Sequence, residues 1–79
     1  MQVSAITPET RWHGGIKIEF DSKKEAEVFF SVFNTSRIAD AVNDLTANRD
    51  FSHAIYDLSE QLGVSKNTYV SEIHDRLKR

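Results

Sequence analysis

The chain has no cysteine. That excludes disulfides and thiolate metal sites, and it points to a reducing compartment such as the cytoplasm. No apolar run approaches the ~20 residues that span a bilayer. The opening MQVSAITPET has no basic region followed by an apolar stretch, so no signal peptide is expected. Without one, Asn34-Thr35-Ser36 matches a glycosylation acceptor only by chance. A phosphate-binding glycine loop is also missing, because Gly14-Gly15 precedes a strand-like run and reads as a hairpin turn. There is no G-x-S-x-G and no cysteine nucleophile. His13, His53 and His74 stand singly, without the i, i+4 partner of a helical metal site. Neither catalysis nor a metal nor a cofactor is expected, and 79 residues leave little room for a closed pocket.

A strong charge of one sign is lacking too. The net charge is −2. Residues 1–59 hold six Lys/Arg against nine Asp/Glu, while residues 60–79 hold four against three. The acidic front lacks the overall basicity of many nucleic-acid binders and suits a protein partner at least as well.

What is present reads as a single α+β domain over residues 1–79. A small N-terminal β-hairpin (1–20) precedes about four short helices, two in 21–50 and two in 51–79. Ile16, Ile18 and Phe20 alternate with Lys17 and Glu19, the period of a half-buried strand. Its partner is either Val3 to Ile6 or a run near Arg11-Trp12, with Pro8 outside the ladder. Ser22-Lys23-Lys24-Glu25 has the capping-box form. The helix behind it places Ala26, Phe29, Phe30 and Phe33 on one face, and Phe29 and Phe33 are expected in the core. A second helix from Thr35 or Ser36 to about Ala47 carries the stripe Ile38, Ala41, Val42 and Leu45. Asp50 is a suitable cap for a third, with Phe51, Ile55, Leu58 and Leu62 expected to be buried. The fourth is expected to bury Tyr69, Val70, Ile73 and Leu77.

The most informative stretch is LSEQLGVSKNTYVSEIHDRL, Leu58 to Leu77. Gly63 suits the left-handed position after a helix. Ser65 suits the cap of the next one, with Val64 and Tyr69 placed to staple its entry. A helix starting at Ser65 puts Lys66 at its positive end, where a cation is unfavourable unless an external anion meets it.

This pair resembles the bacterial helix-turn-helix through Leu58, Ser59, Leu62, Gly63, Val64, Ser65, Thr68 and Tyr69. The resemblance implies a second helix in the major groove of double-stranded DNA, with Ser65, Lys66, Asn67 and Ser71 at the contact. Glu72 stands where that family has an apolar residue, and Val70 where it has an exposed one. SKNTYVSEIHDRL also resembles the second helix of ribbon-helix-helix proteins, through Ser65, Tyr69-Val70, Glu72, Ile73 and Leu77. The reading strand of that family has no counterpart here, since residues 41–47, AVNDLTA, pattern as helix. Either resemblance implies a dimeric transcriptional regulator, and Arg76 and Lys78 fit phosphate contact. Cations at a helix C-terminus also complement its dipole.

The alternative is a small acidic interaction module or inhibitor that binds a protein partner. Asp40, Asp44, Asp50 and Asp57 could mimic a phosphate track, and Trp12 beside Arg11 has the makings of an interface anchor. Small inhibitors from phages and mobile elements, anti-CRISPR proteins among them, share this size and acidity, and that likeness rests on no motif.

Overall fold

A computed structural model describes residues 1–6, 15–47 and 50–78. Strand β1 (Gln2–Ile6) pairs antiparallel with β2 (Gly15–Glu19), so the partner of β2 is the Val3 to Ile6 run. The expectations for Pro8, Arg11-Trp12 and the preceding half of the Gly14-Gly15 turn lie outside the described residues. Val3 faces Ile18 and Ala5 faces Ile16, which puts all four side chains on one side of the ribbon. Gly15 faces Ile6, and a Cβ there would come within 3.3 Å of the Ile6 side chain.

Helix α1 (Lys23–Phe33) begins where the capping box predicts. Ser22 Oγ accepts from the Glu25 amide at 3.1 Å, and Glu25 reaches back to the Asp21 amide at 3.3 Å. Asp21 and Glu25 also bind the Met1 ammonium, at 2.6 and 2.9 Å. Hydrogen bonds to Asp21 and then Glu25 raise that amine's pKa above its ordinary value.

Three further helices follow: α2 (Ser36–Thr46), α3 (Asp50–Leu62) and α4 (Val70–Leu77). The class is therefore α+β, a two-stranded hairpin followed by four helices. α1 is the hub, packing against α2, α3 and α4, while α2 also packs on α3. All five phenylalanines lie on one chain of ring contacts. Phe20, after β2, meets Phe29 and Phe30; Phe29 meets Phe33, and Phe33 meets Phe51 of α3, with centroids 5.1–6.0 Å apart.

The core departs from the expected pattern. Among the described residues, the buried apolar side chains are Ala26 and Phe30, the latter 2% exposed. Phe29 and Phe33 are half-buried, because the wider aromatic face of α1 extends past the helices that cover it. The other buried positions are small hydroxyl residues: Ser31, Thr35, Ser52 and Ser59. Each has a hydrogen bond. Thr35 donates to the Ser31 carbonyl at 2.8 Å, Ser52 to Asn43 Oδ1 at 3.0 Å, and Ser59 to the Tyr56 carbonyl at 2.7 Å. Ser31 Oγ accepts from the Tyr69 amide at 3.2 Å.

Two apolar stripes consequently face outward. On α2, Ile38 and Val42 are half-buried, but Ala41 is exposed and Leu45 is 88% exposed. On α3 the buried line is Ser52 and Ser59, one residue, about 100°, around the axis from Phe51, Leu58 and Leu62. Those three are exposed, Leu62 by 58%, and only Ile55 of the expected stripe is half-buried. The expected burial of α4 is partial as well, since Tyr69, Val70 and Ile73 are half-buried and Leu77 is exposed. The surface is large for the mass. It amounts to 6143 Å², against about 4,850 Å² for a compact 9.0 kDa chain. The radius of gyration, 13.7 Å, likewise exceeds the ~12 Å of a compact domain this long.

Candidate interaction surface

Gly63 ends α3 as the sequence predicts. Its φ is +68°, and its amide bonds the Glu60 carbonyl at 3.1 Å while the Val64 amide bonds that of Ser59 at 3.1 Å. These paired bonds are a Schellman cap.

The next helix does not start at Ser65. Ser65 Oγ accepts from the Asn67 amide at 3.1 Å and closes a local turn. α4 begins only at Val70, with Tyr69 at the cap and no side-chain cap bond. Contacts from α1 explain the delay. Asn34 donates to the Lys66 carbonyl at 3.0 Å and to Asn67 Oδ1 at 2.7 Å, and Ser31 takes the Tyr69 amide. With those groups occupied by α1, residues 65–69 are held out of helical geometry. Seven residues, from Gly63 to Tyr69, therefore separate two helices that both pack on α1. The helix expected to start at Ser65 therefore starts at Val70.

The DNA-contact candidates fall into two groups. Ser65, Lys66 and Asn67 lie in the turn. Lys66 is half-buried, its Nζ 5.5 Å from the centroid of the Tyr56 ring on α3. That ring supplies the electron-rich partner the sequence assigned to an external anion. Ser71 and Arg76 lie exposed on α4, where Arg76 Nη1 donates to the Glu72 carbonyl at 3.0 Å, and the exposed Lys78 caps its C-terminal end.

The protein-contact candidates are differently placed. Asp40 and Asp44 are exposed on α2, and Asp50 and Asp57 on α3. Trp12 lies outside the described residues. α2 and α3 together carry five carboxylates against one cation, Arg37, which donates to the Leu77 carbonyl at 3.2 Å. On α3, Asp50 and Asp57 stand seven apart, along the side of the Phe51–Leu58–Leu62 stripe away from the buried serines. The result is an exposed apolar strip with an acidic margin. An open groove of about 370 Å³ runs between α2 and α3, lined by Asp40, Asn43, Ser52, His53 and Tyr56 among others. No cluster of His, Cys, Asp or Glu with metal-binding geometry occurs among the described residues. No helix among them is long and apolar enough to cross a membrane.

Sequence reasoning missed the residues that orient these helices: Ser31, Asn34, Ser52, Tyr56 and Ser59. A signal existed in Ser52 and Ser59, seven apart on one side of α3, where small residues let helices approach closely.

No protein-family description, curated protein or solved structure matches this chain. The fold and the surface together define the class: a small α+β domain with a two-stranded ribbon and, among the described residues, an exposed apolar helix strip with an acidic margin.

Proposed function

We propose that this protein is a binding module that acts by docking a basic, amphipathic segment of a protein partner on the exposed face of α3. One observation carries the reading: Phe51, Leu58 and Leu62 lie exposed beside an acidic margin containing Asp57. Exposed apolar side chains in one strip mark interaction sites on a soluble surface. The carboxylates of α2 and α3 supply steering toward a basic partner and discriminate against an acidic one. Such a module occupies its partner's surface and needs no chemistry of its own, as an inhibitor does.

Double-stranded DNA is the competing ligand. Arg76 and Lys78 support it, and the acidity of α2 and α3 and the engagement of Lys66 with Tyr56 weigh against it. A fluorescein-labelled helical peptide of alternating Leu and Lys turns separates the two in an anisotropy titration. Binding is expected to weaken with salt, to fall at least tenfold in Leu58→Asp/Leu62→Asp, and to fall less in Asp57→Lys. Labelled duplex DNA is titrated in parallel. Peptide binding indifferent to the α3 variants overturns the proposal. Duplex binding lost in Arg76→Ala/Lys78→Ala would install the DNA reading instead.

A further inference from the structure

We propose that two copies of this chain join through the edge of β2 that no described strand pairs with, forming a four-stranded antiparallel sheet in the order β1-β2-β2-β1 about a twofold axis at Ile18. The inference is independent of the α3 face and uses a different part of the molecule.

The hairpin is underpacked as it stands. Among the described residues its strands pack chiefly on each other, and the main packing pairs of the fold are otherwise helix on helix. Every residue of β1 is exposed, and Ile18 alone in β2 is half-buried. The apolar side bearing Val3, Ala5, Ile16 and Ile18 starts at Phe20, against α1, and runs outward until Ile16 is 64% exposed. A lone two-stranded ribbon is marginal in water, whereas three or more strands with one apolar face are not.

The charge pattern selects the occupant and the register. β2 reads Gly-Ile-Lys-Ile-Glu, with Lys17 and Glu19 on the side opposite the isoleucines. A twofold at Ile18 sets Lys17 opposite Glu19 of the second copy, twice, and Ile18 opposite Ile18. A twofold at Lys17 would oppose two lysines, and one at Glu19 two glutamates, both unfavourable. β1 reads Gln-Val-Ser-Ala-Ile and has no charge to fix a register, so the same argument fails at its edge. In the single chain Lys17 and Glu19 pair along the strand at 2.9 Å, both well exposed. Exchanging that contact for one across the axis costs little, so the charges set alignment while the new backbone ladder and the cross-strand neighbours Ile18–Ile18 and Ile16–Phe20 supply affinity.

The test is a charge exchange read by sedimentation equilibrium, with circular dichroism verifying that each variant is folded. The parent should sediment as a dimer at tens of micromolar. Lys17→Glu alone and Glu19→Lys alone should each raise the dimer dissociation constant about tenfold, since each converts two opposite-charge pairs into like-charge pairs. An equimolar mixture of the two variants should dimerise about as well as the parent, because each copy then meets the opposite sign. Lys17→Glu/Glu19→Lys in one chain should do so as well. A monomeric parent at 1 mM overturns the proposal. So does dimerisation of the single variants at parental strength, or a mixture that stays as weak as its components. Leu58→Asp/Leu62→Asp should leave the dimer intact, so failure here and failure of the α3 docking reading are told apart.

Discussion

Asn34 donates its side-chain amide to the Lys66 carbonyl at 3.0 Å, tying the end of α1 to a turn 32 residues further on. The same amide reaches Asn67 Oδ1 at 2.7 Å. These bonds decide where α4 begins, against the local preference of Ser65 to cap a helix four residues earlier.

Removing Asn34 therefore has two consequences. Asn34→Ala should lower stability by about 0.5–1.5 kcal/mol, the net worth of an ordinary hydrogen bond, since the bond to Lys66 is part-buried and the one to Asn67 is exposed. It should also release residues 66–69 toward helix, so backbone chemical shifts there should move in the helical direction. Urea melts together with NMR assignments would test both, and unchanged stability would mean the two bonds contribute nothing net.

Among the described residues, Phe30 is the one large side chain that is buried. Phe30→Ala should cost about 3–5 kcal/mol, which for so small a domain approaches its whole stability. Phe29→Ala and Phe33→Ala should cost less, because both rings keep solvent contact. Thermal melts of the three variants would reverse the argument if Phe29→Ala proved the most damaging.

Lys66 and Tyr56 form a second internal link. Because Lys66 lies four residues before the first residue of α4, it does not oppose the positive end of that helix. Lys66→Glu should lower stability by about 0.5–1 kcal/mol, the scale of a cation–π contact near the surface. A double-mutant cycle with Tyr56→Leu should return a coupling of the same size. A Lys66→Glu protein steadier than its parent would restore the helix-end account.

Ala47 closes α2 in the left-handed region, with φ 55°. That conformation costs a residue bearing a Cβ about 1 kcal/mol, and glycine adopts it freely. Ala47→Gly should therefore raise stability by up to about 1 kcal/mol, against the usual sense of an alanine-to-glycine change. A lower melting temperature would show that the added freedom of the unfolded chain outweighs the relieved strain.

Short-range patterns were legible in the sequence where the chain decides locally. The Ser22 capping box, the Gly63 cap and the alternation from Ile16 to Phe20 each depend on neighbours within a few residues. They gave the α+β class, the hairpin and three helix starts close to where they fall. Asp40, Asp44 and Asp57 could be named in advance as exposed carboxylates, since an unpaired carboxylate is costly to bury. The tertiary structure alone decided which side of each helix is covered. In α3 the hydroxyls of Ser52 and Ser59 satisfy their bonds inside, so the small serine line packs and Phe51, Leu58 and Leu62 turn outward. It also decided the start of α4, because the partners that hold residues 65–69, Ser31 and Asn34, lie more than thirty positions away. Hydrophobic periodicity marks an apolar stripe but carries no record of what stands opposite it. The choice between core and interface therefore belongs to packing.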